Sequence, residues 1–224
     1  MGRLFQVVCP LIFSSILFSS ILACSQTPAQ APAVLTFTID FPASQPEHYS
    51  IRVQSDCSAH YQSSARLSDS DDTDSFDLDF TVALETSKKI FELAAKAGYF
   101  QKDVDSHNKH LAFTGKKTLG YRDAQRSSES TYNYSPIPAV LELTTLMQGL
   151  SVTLEFGHRL QYDHHYQKLA LDEEIKRMEE IDRSNQLVEV TAIQPILDQI
   201  IADPSVINVT RARAQRLLER ASVH

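Results

Sequence analysis

The sequence predicts an α+β fold: a small antiparallel sheet with one packed helix, followed by an all-helical C-terminal segment that contains a long helix. Two observations carry this. In the N-terminal half, apolar residues alternate with polar ones at period two, as Leu35, Phe37, Ile39 and Phe41 do with Thr36, Thr38 and Asp40. From Ala139 onward, helix formers with apolar residues three and four apart replace the β-branched and turn residues. The boundaries implied are 35–138 for the sheet with its helix and 139–224 for the helical segment.

The strand pattern recurs at Tyr49-Ile51-Val53 and at Phe76-Leu78-Phe80-Val82, with Asp77, Asp79 and Thr81 on the other face. Turn residues at 55–58 send Ala59 to Gln62 back antiparallel. Ile90, Leu93, Ala94 and Ala97 then mark a helix, with Gly98 as its left-handed stop and Tyr99 and Phe100 plugging the core. Further short strands are expected at 111–114, 118–122 and 131–134, before Pro136 and Pro138 close the region.

Val140, Leu143 and Met147 form a helical stripe stopped near Gly149, and Leu171, Ile175 and Met178 form another. The stretch 151–184 reads as one helix of about 50 Å, with Gly157 as an interruption. Val152, Leu154 and Phe156 also alternate as a strand would, and the helical flanks favour helix. Asp172 with Lys176, Glu173 with Arg177, and Glu179 with Arg183 stand in the favourable i,i+4 order. Val190, Ile193, Leu197, Ile200 and Ile201 define a further helix. Pro204 breaks it, and Ser205 stands as the cap of a last one through Val209, Leu217 and Leu218.

The 224 residues carry 21 Lys and Arg against 28 Asp and Glu, a formal charge of −7. Hydrophobic residues at 42% exclude a wholly disordered or collagenous chain. The acidic balance argues against nucleic acid as a partner, because neutralising phosphates needs clustered Lys and Arg.

Arg3 precedes an apolar stretch from Leu4 to Leu22, broken by Pro10 and four serines, too interrupted for a span of about 20 residues. The stretch ends in Ile21-Leu22-Ala23-Cys24, which resembles the lipobox of bacterial lipoproteins, although Leu22 stands where the family carries a smaller residue. The resemblance implies removal of 1–23 and acylation of Cys24 with fatty chains such as palmitate. A Pro/Ala/Gln tether over 24–34 follows. Ser25 resembles the outer-membrane sorting class, so the expected address is the cell envelope, on the periplasmic face of the outer membrane. A retained transmembrane anchor and plain secretion are the alternatives. Of the three cysteines, Cys57 alone would remain a thiol. The layout around Phe91-Glu-Leu-Ala-Ala-Lys-Ala-Gly-Tyr-Phe100 also resembles uncharacterised exported α+β domains over about 35–150, a likeness that implies fold and no activity.

Five groups of residues carry candidate chemistry. Asp69, Asp71, Asp72 and Asp74 crowd a loop as calcium ligands do, but Asp74 stands where an EF-hand needs Gly and Phe80 where it needs Glu. Asp103, Asp105, His107 and His110 make a mixed set suited to zinc. His158, His164 and His165 lie on the long helix at intervals that prevent chelation from one helix. Cys57 and His60 could pair only across a turn. Arg213, Arg216 and Arg220 share one face of the last helix, placed to pair with the preceding acidic helix, to favour the helix end, or to meet headgroups or a partner. No catalytic residue and no cofactor is assigned. The reading is a non-enzymatic binding or scaffold protein, held to the membrane by acylated Cys24 and acting on an unidentified envelope protein. The alternative is a periplasmic metal-dependent hydrolase whose residues converge only in the fold.

Overall fold

Strand β1 (Val34–Asp40) buries Leu35, Phe37 and Ile39 on one face and leaves Thr36 and Thr38 on the other, because successive strand residues point to opposite sides. The computed structural model describes residue 2 and residues 31–66 and 73–222. With β2 (His48–Gln54), β3 (Ser58–Arg66), β4 (Thr73–Thr81), β5 (Lys116–Arg122) and β6 (Ser127–Tyr132), β1 forms a six-stranded antiparallel sheet in the order β4-β3-β2-β1-β5-β6. The register lines up Leu78, Tyr61, Ile51, Phe37, Leu119 and Ser130 across the inner face. Asp77, Gln62, Ser50, Thr38, Thr118 and Thr131 form the matching row on the outer, polar face.

Helix α1 (Leu84–Lys96) buries Ile90, Leu93 and Ala94 at the predicted spacing. Its N-terminus is capped from a distance: Glu189 accepts hydrogen bonds from the Ala83 N–H at 3.0 Å and from the Thr86 hydroxyl. Gly98, at φ +64°, makes the predicted stop. Phe100 is fully buried beyond it, and Tyr99 lies against Tyr121 with ring centres 4.7 Å apart. The expected strand at 111–114 is absent. Those residues are loop, tied to Asn133, whose side-chain oxygen accepts from the Thr114 N–H at 2.9 Å. The strand expected at 131–134 instead runs from Ser127 to Tyr132, its Ser-rich start supported by pairing with β5.

Helix α2 (Pro138–Tyr166) continues for 29 residues through both Gly149 and Gly157, about 43 Å at 1.5 Å per residue. It passes over the inner face of the sheet toward the β4 edge, where His158 stacks on Phe76 at 4.3 Å. Gly149 is therefore not a stop, and 151–184 is not one helix. The break falls at Gln167–Ala170, and α3 (Leu171–Arg183) folds back from it. Both glycines are points of close approach: a Cβ on Gly149 would lie 2.8 Å from the Gln186 carbonyl, and one on Gly157 2.5 Å from Ile193 Cγ2.

A short 3-10 turn at Val190–Ile193 leads into α4 (Gln194–Ala202), and α5 (Asn208–Ala221) ends the described chain. Ser205 does not cap α5. Its N–H and hydroxyl both turn back to Asp203 at 2.8 and 2.7 Å, and α5 begins after an extended Ile207. Glu179 and Arg183 pair at 3.9 Å as expected, whereas Asp172 turns to Arg213 of α5 rather than to Lys176. From Ala31 onward the chain forms one compact unit, in which sheet and helices share a single apolar core.

Candidate functional site

Strand residues two apart and helix residues four apart are separated by similar distances, so a helix lying over a sheet can match two side chains with two. Ser151 and Glu155 of α2 meet Tyr61 and Ser63 of β3 in this way. The Tyr61 hydroxyl donates to Glu155 Oε1 at 2.7 Å and lies 3.0 Å from Ser151 Oγ, and the Ser63 hydroxyl donates to the same Oε1 at 2.7 Å. Burial, then the nearby Glu155 charge, pushes the Tyr61 hydroxyl above its ordinary range, and burial does the same to Tyr49. Both phenols thus stay protonated at neutral pH, and Tyr61 is a fixed donor. Glu155 Oε1 is held by two hydroxyls, while Oε2 has no partner among the described residues.

A cavity of about 500 Å³ opens beside this carboxylate. Its walls are Ile39 and Tyr49 of the sheet, Phe41 and Ser44 to Pro46 of the loop between β1 and β2, one face of α2 between Gln148 and Arg159, and Arg177 and Ile181 of α3. Arg159 lies 4.6 Å above the Phe156 ring and hydrogen-bonds to Glu174, and Arg177 reaches the same Glu174 at 3.7 Å. Two guanidiniums thus share one carboxylate. Thr114 closes another side, fixed by the buried Lys117, whose ammonium donates to the Thr114 carbonyl at 3.1 Å and hydroxyl at 3.0 Å and to the Asn133 carbonyl at 3.1 Å. Burial lowers the Lys117 pKa. The arrangement can bind and orient a ligand of modest size, since pockets for such ligands run from about 300 to 1,000 Å³ with a few placed polar groups.

The residues singled out from the sequence lie elsewhere. Cys24, Asp69, Asp71 and Asp72 fall outside the described residues, and Asp74 is exposed on β4. His107 turns to Asp103 at 2.6 Å, and that hydrogen bond raises its pKa, while His110 stands exposed in the same loop. Among the described residues, no three His, Cys, Asp or Glu side chains are gathered closely enough to hold a metal. His158 is spent on Phe76, and His165 meets Tyr166 edge-on at 4.3 Å. His60 turns to Asp79 and Asp77 of β4, at 2.8 and 3.4 Å, rather than to Cys57. Arg213, Arg216 and Arg220 face α3, pairing with Asp172 at 3.0 Å, Glu179 at 3.0 Å and Asp182 at 2.7 Å respectively. Of the three readings open for this stripe, internal pairing is the geometry found. Among the described residues, no helix is long and apolar enough to cross a membrane.

His164 contributes to a clasp instead. The Lys168 ammonium, donating at 2.6 Å, followed by the hydroxyl and N–H of Ser205, holds the Asp203 carboxyl well below the usual carboxylate range, with His164 Nε2 at 3.0 Å. A depressed carboxylate contributes stability above its unfolded-state value of 3.8 and loses it as pH falls through the folded-state value. Wild-type and Asp203→Asn proteins are therefore expected to differ most in melting temperature above about pH 5 and to converge toward about pH 2. Parallel melting curves across that range would show the clasp to be uncoupled from folding.

Glu155, Tyr61 and Ser63 were not identified from the sequence. The one available signal is that Ser151 and Glu155, four residues apart, share a face of α2. No known protein-family model matches this chain, and a search of curated proteins finds no similar sequence.

Proposed function

We propose that this protein is a lipid-anchored component of the bacterial cell envelope that acts by binding rather than by catalysis, with the Glu155 cavity as its binding site. The observation that carries the binding reading is the fixed carboxylate: two hydroxyls from the sheet hold one oxygen of Glu155, a residue that lines an open cavity. Such pre-orientation lowers the ordering cost of capturing a ligand. What supports the address is the Ile21-Leu22-Ala23-Cys24 motif with the Pro/Ala/Gln tether behind it. Several acyl chains at about 0.8 kcal/mol per buried methylene would hold the protein to a membrane durably, with the periplasmic face of the outer membrane the location that Ser25 favours.

Both parts are tested in the intact lipoprotein. Cys24→Ala is expected to move the protein from the membrane fraction to the soluble one, and mass spectrometry to find acyl mass on Cys24. An unprocessed amino end would remove the anchor. A photocrosslinking side chain placed at Val152, on the cavity rim, is expected to form an adduct with an envelope component. The same side chain at Gln62, on the outer sheet face, should form none. Equal adducts at both positions, or none at 152, would remove the cavity as the binding site.

A further inference from the structure

Glu155 and Arg159 stand four residues apart on α2, in the order that usually forms an ion pair on a helix. Here they do not pair. Glu155 is drawn toward the sheet by Tyr61 and Ser63, and Arg159 is drawn toward α3 by Glu174. A negative and a positive group are therefore held apart on neighbouring turns, both lining the same cavity. Glu155 has only neutral hydroxyl donors on it, whereas Arg159 and Arg177 share Glu174, with the Asp163 carboxylate also acting on Arg159. The rest of the wall combines Phe41, Tyr49, Val152 and Ile181 with the polar Gln45, Thr114, Gln148 and Ser151.

Resting on the binding reading above, we propose that the cavity takes a small zwitterion with an apolar side chain, a free α-amino acid or a dipeptide. The ammonium group donates to Glu155 Oε2. The carboxylate accepts from Arg159 and Arg177, and the side chain lies against Val152 and Ile181. A simple amine would gain nothing from the Arg159 and Arg177 guanidiniums, and a simple carboxylate would gain nothing from Glu155. Each control forgoes one of the two contacts that a zwitterion makes, so the site favours the zwitterion over both.

Titration calorimetry on the full-length chain in detergent tests this with L-leucine and L-leucyl-L-leucine. The controls are isopentylamine, which has the ammonium alone, and 4-methylpentanoate, which has the carboxylate alone. At least one zwitterion is expected to bind tenfold or more tightly than either control. Glu155→Gln should weaken it at least tenfold and erase its advantage over 4-methylpentanoate. Arg177→Gln, at an exposed position that leaves folding intact, should narrow the advantage over isopentylamine. No binding of either zwitterion, a control that binds as well, or a Glu155→Gln protein that binds unchanged would each overturn the assignment. If the zwitterions fail while the adduct at Val152 persists, the binding reading stands and the ligand class falls.

Discussion

Replacing Glu179 with alanine is expected to destabilise the protein by about 3 kcal/mol, measured as a lower urea midpoint with an unchanged slope. Glu179 is the one deeply buried acid in the α3–α5 contact, its side chain 4% exposed. Around it stand Arg216 at 3.0 Å, Arg213 at 3.6 Å and Arg183 at 3.9 Å. Removing one partner of a buried pair costs about 3–5 kcal/mol, because the other charge remains without compensation. The lower end applies here. Arg183 and Arg216 are half-exposed or more and can turn to water, whereas Arg213, 20% exposed, keeps only Asp172. Arg216→Ala should cost less than Glu179→Ala, since Arg213 still meets the carboxylate, and the double variant should cost less than the two singles together. Strict additivity would mean that the carboxylate and guanidinium do not interact across the two helices.

The second large effect is expected at two positions where helix propensity alone predicts the opposite sign. Gly→Ala in a helix interior ordinarily stabilises by up to about 1 kcal/mol. At Gly149 the new methyl would lie 2.8 Å from both the Gln186 carbonyl oxygen and Val188 Cγ2, and at Gly157 2.5 Å from Ile193 Cγ2. Overpacking of this kind costs about 1–3 kcal/mol. Gly149→Ala should lose about 2 kcal/mol or more, because a backbone carbonyl cannot rotate aside as a side chain can. Gly157→Ala should lose somewhat less, by displacing Ile193. Thermal unfolding checks both, and a stabilised Gly149→Ala protein would show that the 186–188 segment is free to move away.

These glycines also explain where the sequence misled. A glycine within a helical pattern reads locally as a stop or an interruption, and nothing local announces that a segment nearly 40 residues later lies against it. The true break, Gln167-Lys168-Leu169-Ala170, contains neither Gly nor Pro. Its trace was the acidic run Asp172-Glu173-Glu174, which favours a helix start but also fits i,i+4 pairs inside a longer helix. The strands with strong alternation were legible because one face of each is buried. β6 was not, since Ser127 to Ser130 are ordered by pairing with β5 rather than by their own apolar content. The candidate site was least legible of all. Tyr61 and Glu155 are 94 positions apart, and each is unremarkable alone.

The position of β1 has a consequence for how the chain acquires this shape. Its partner on one side, β2, follows within a few residues, but its partner on the other is β5, so that Phe37 lies opposite Leu119. A polypeptide emerging amino end first can therefore complete the β1-to-β4 meander while the far flank of β1 has nothing to pair with. Some eighty residues must appear before that flank is covered, and until then a helper protein that shields extended apolar segments would find its grip there.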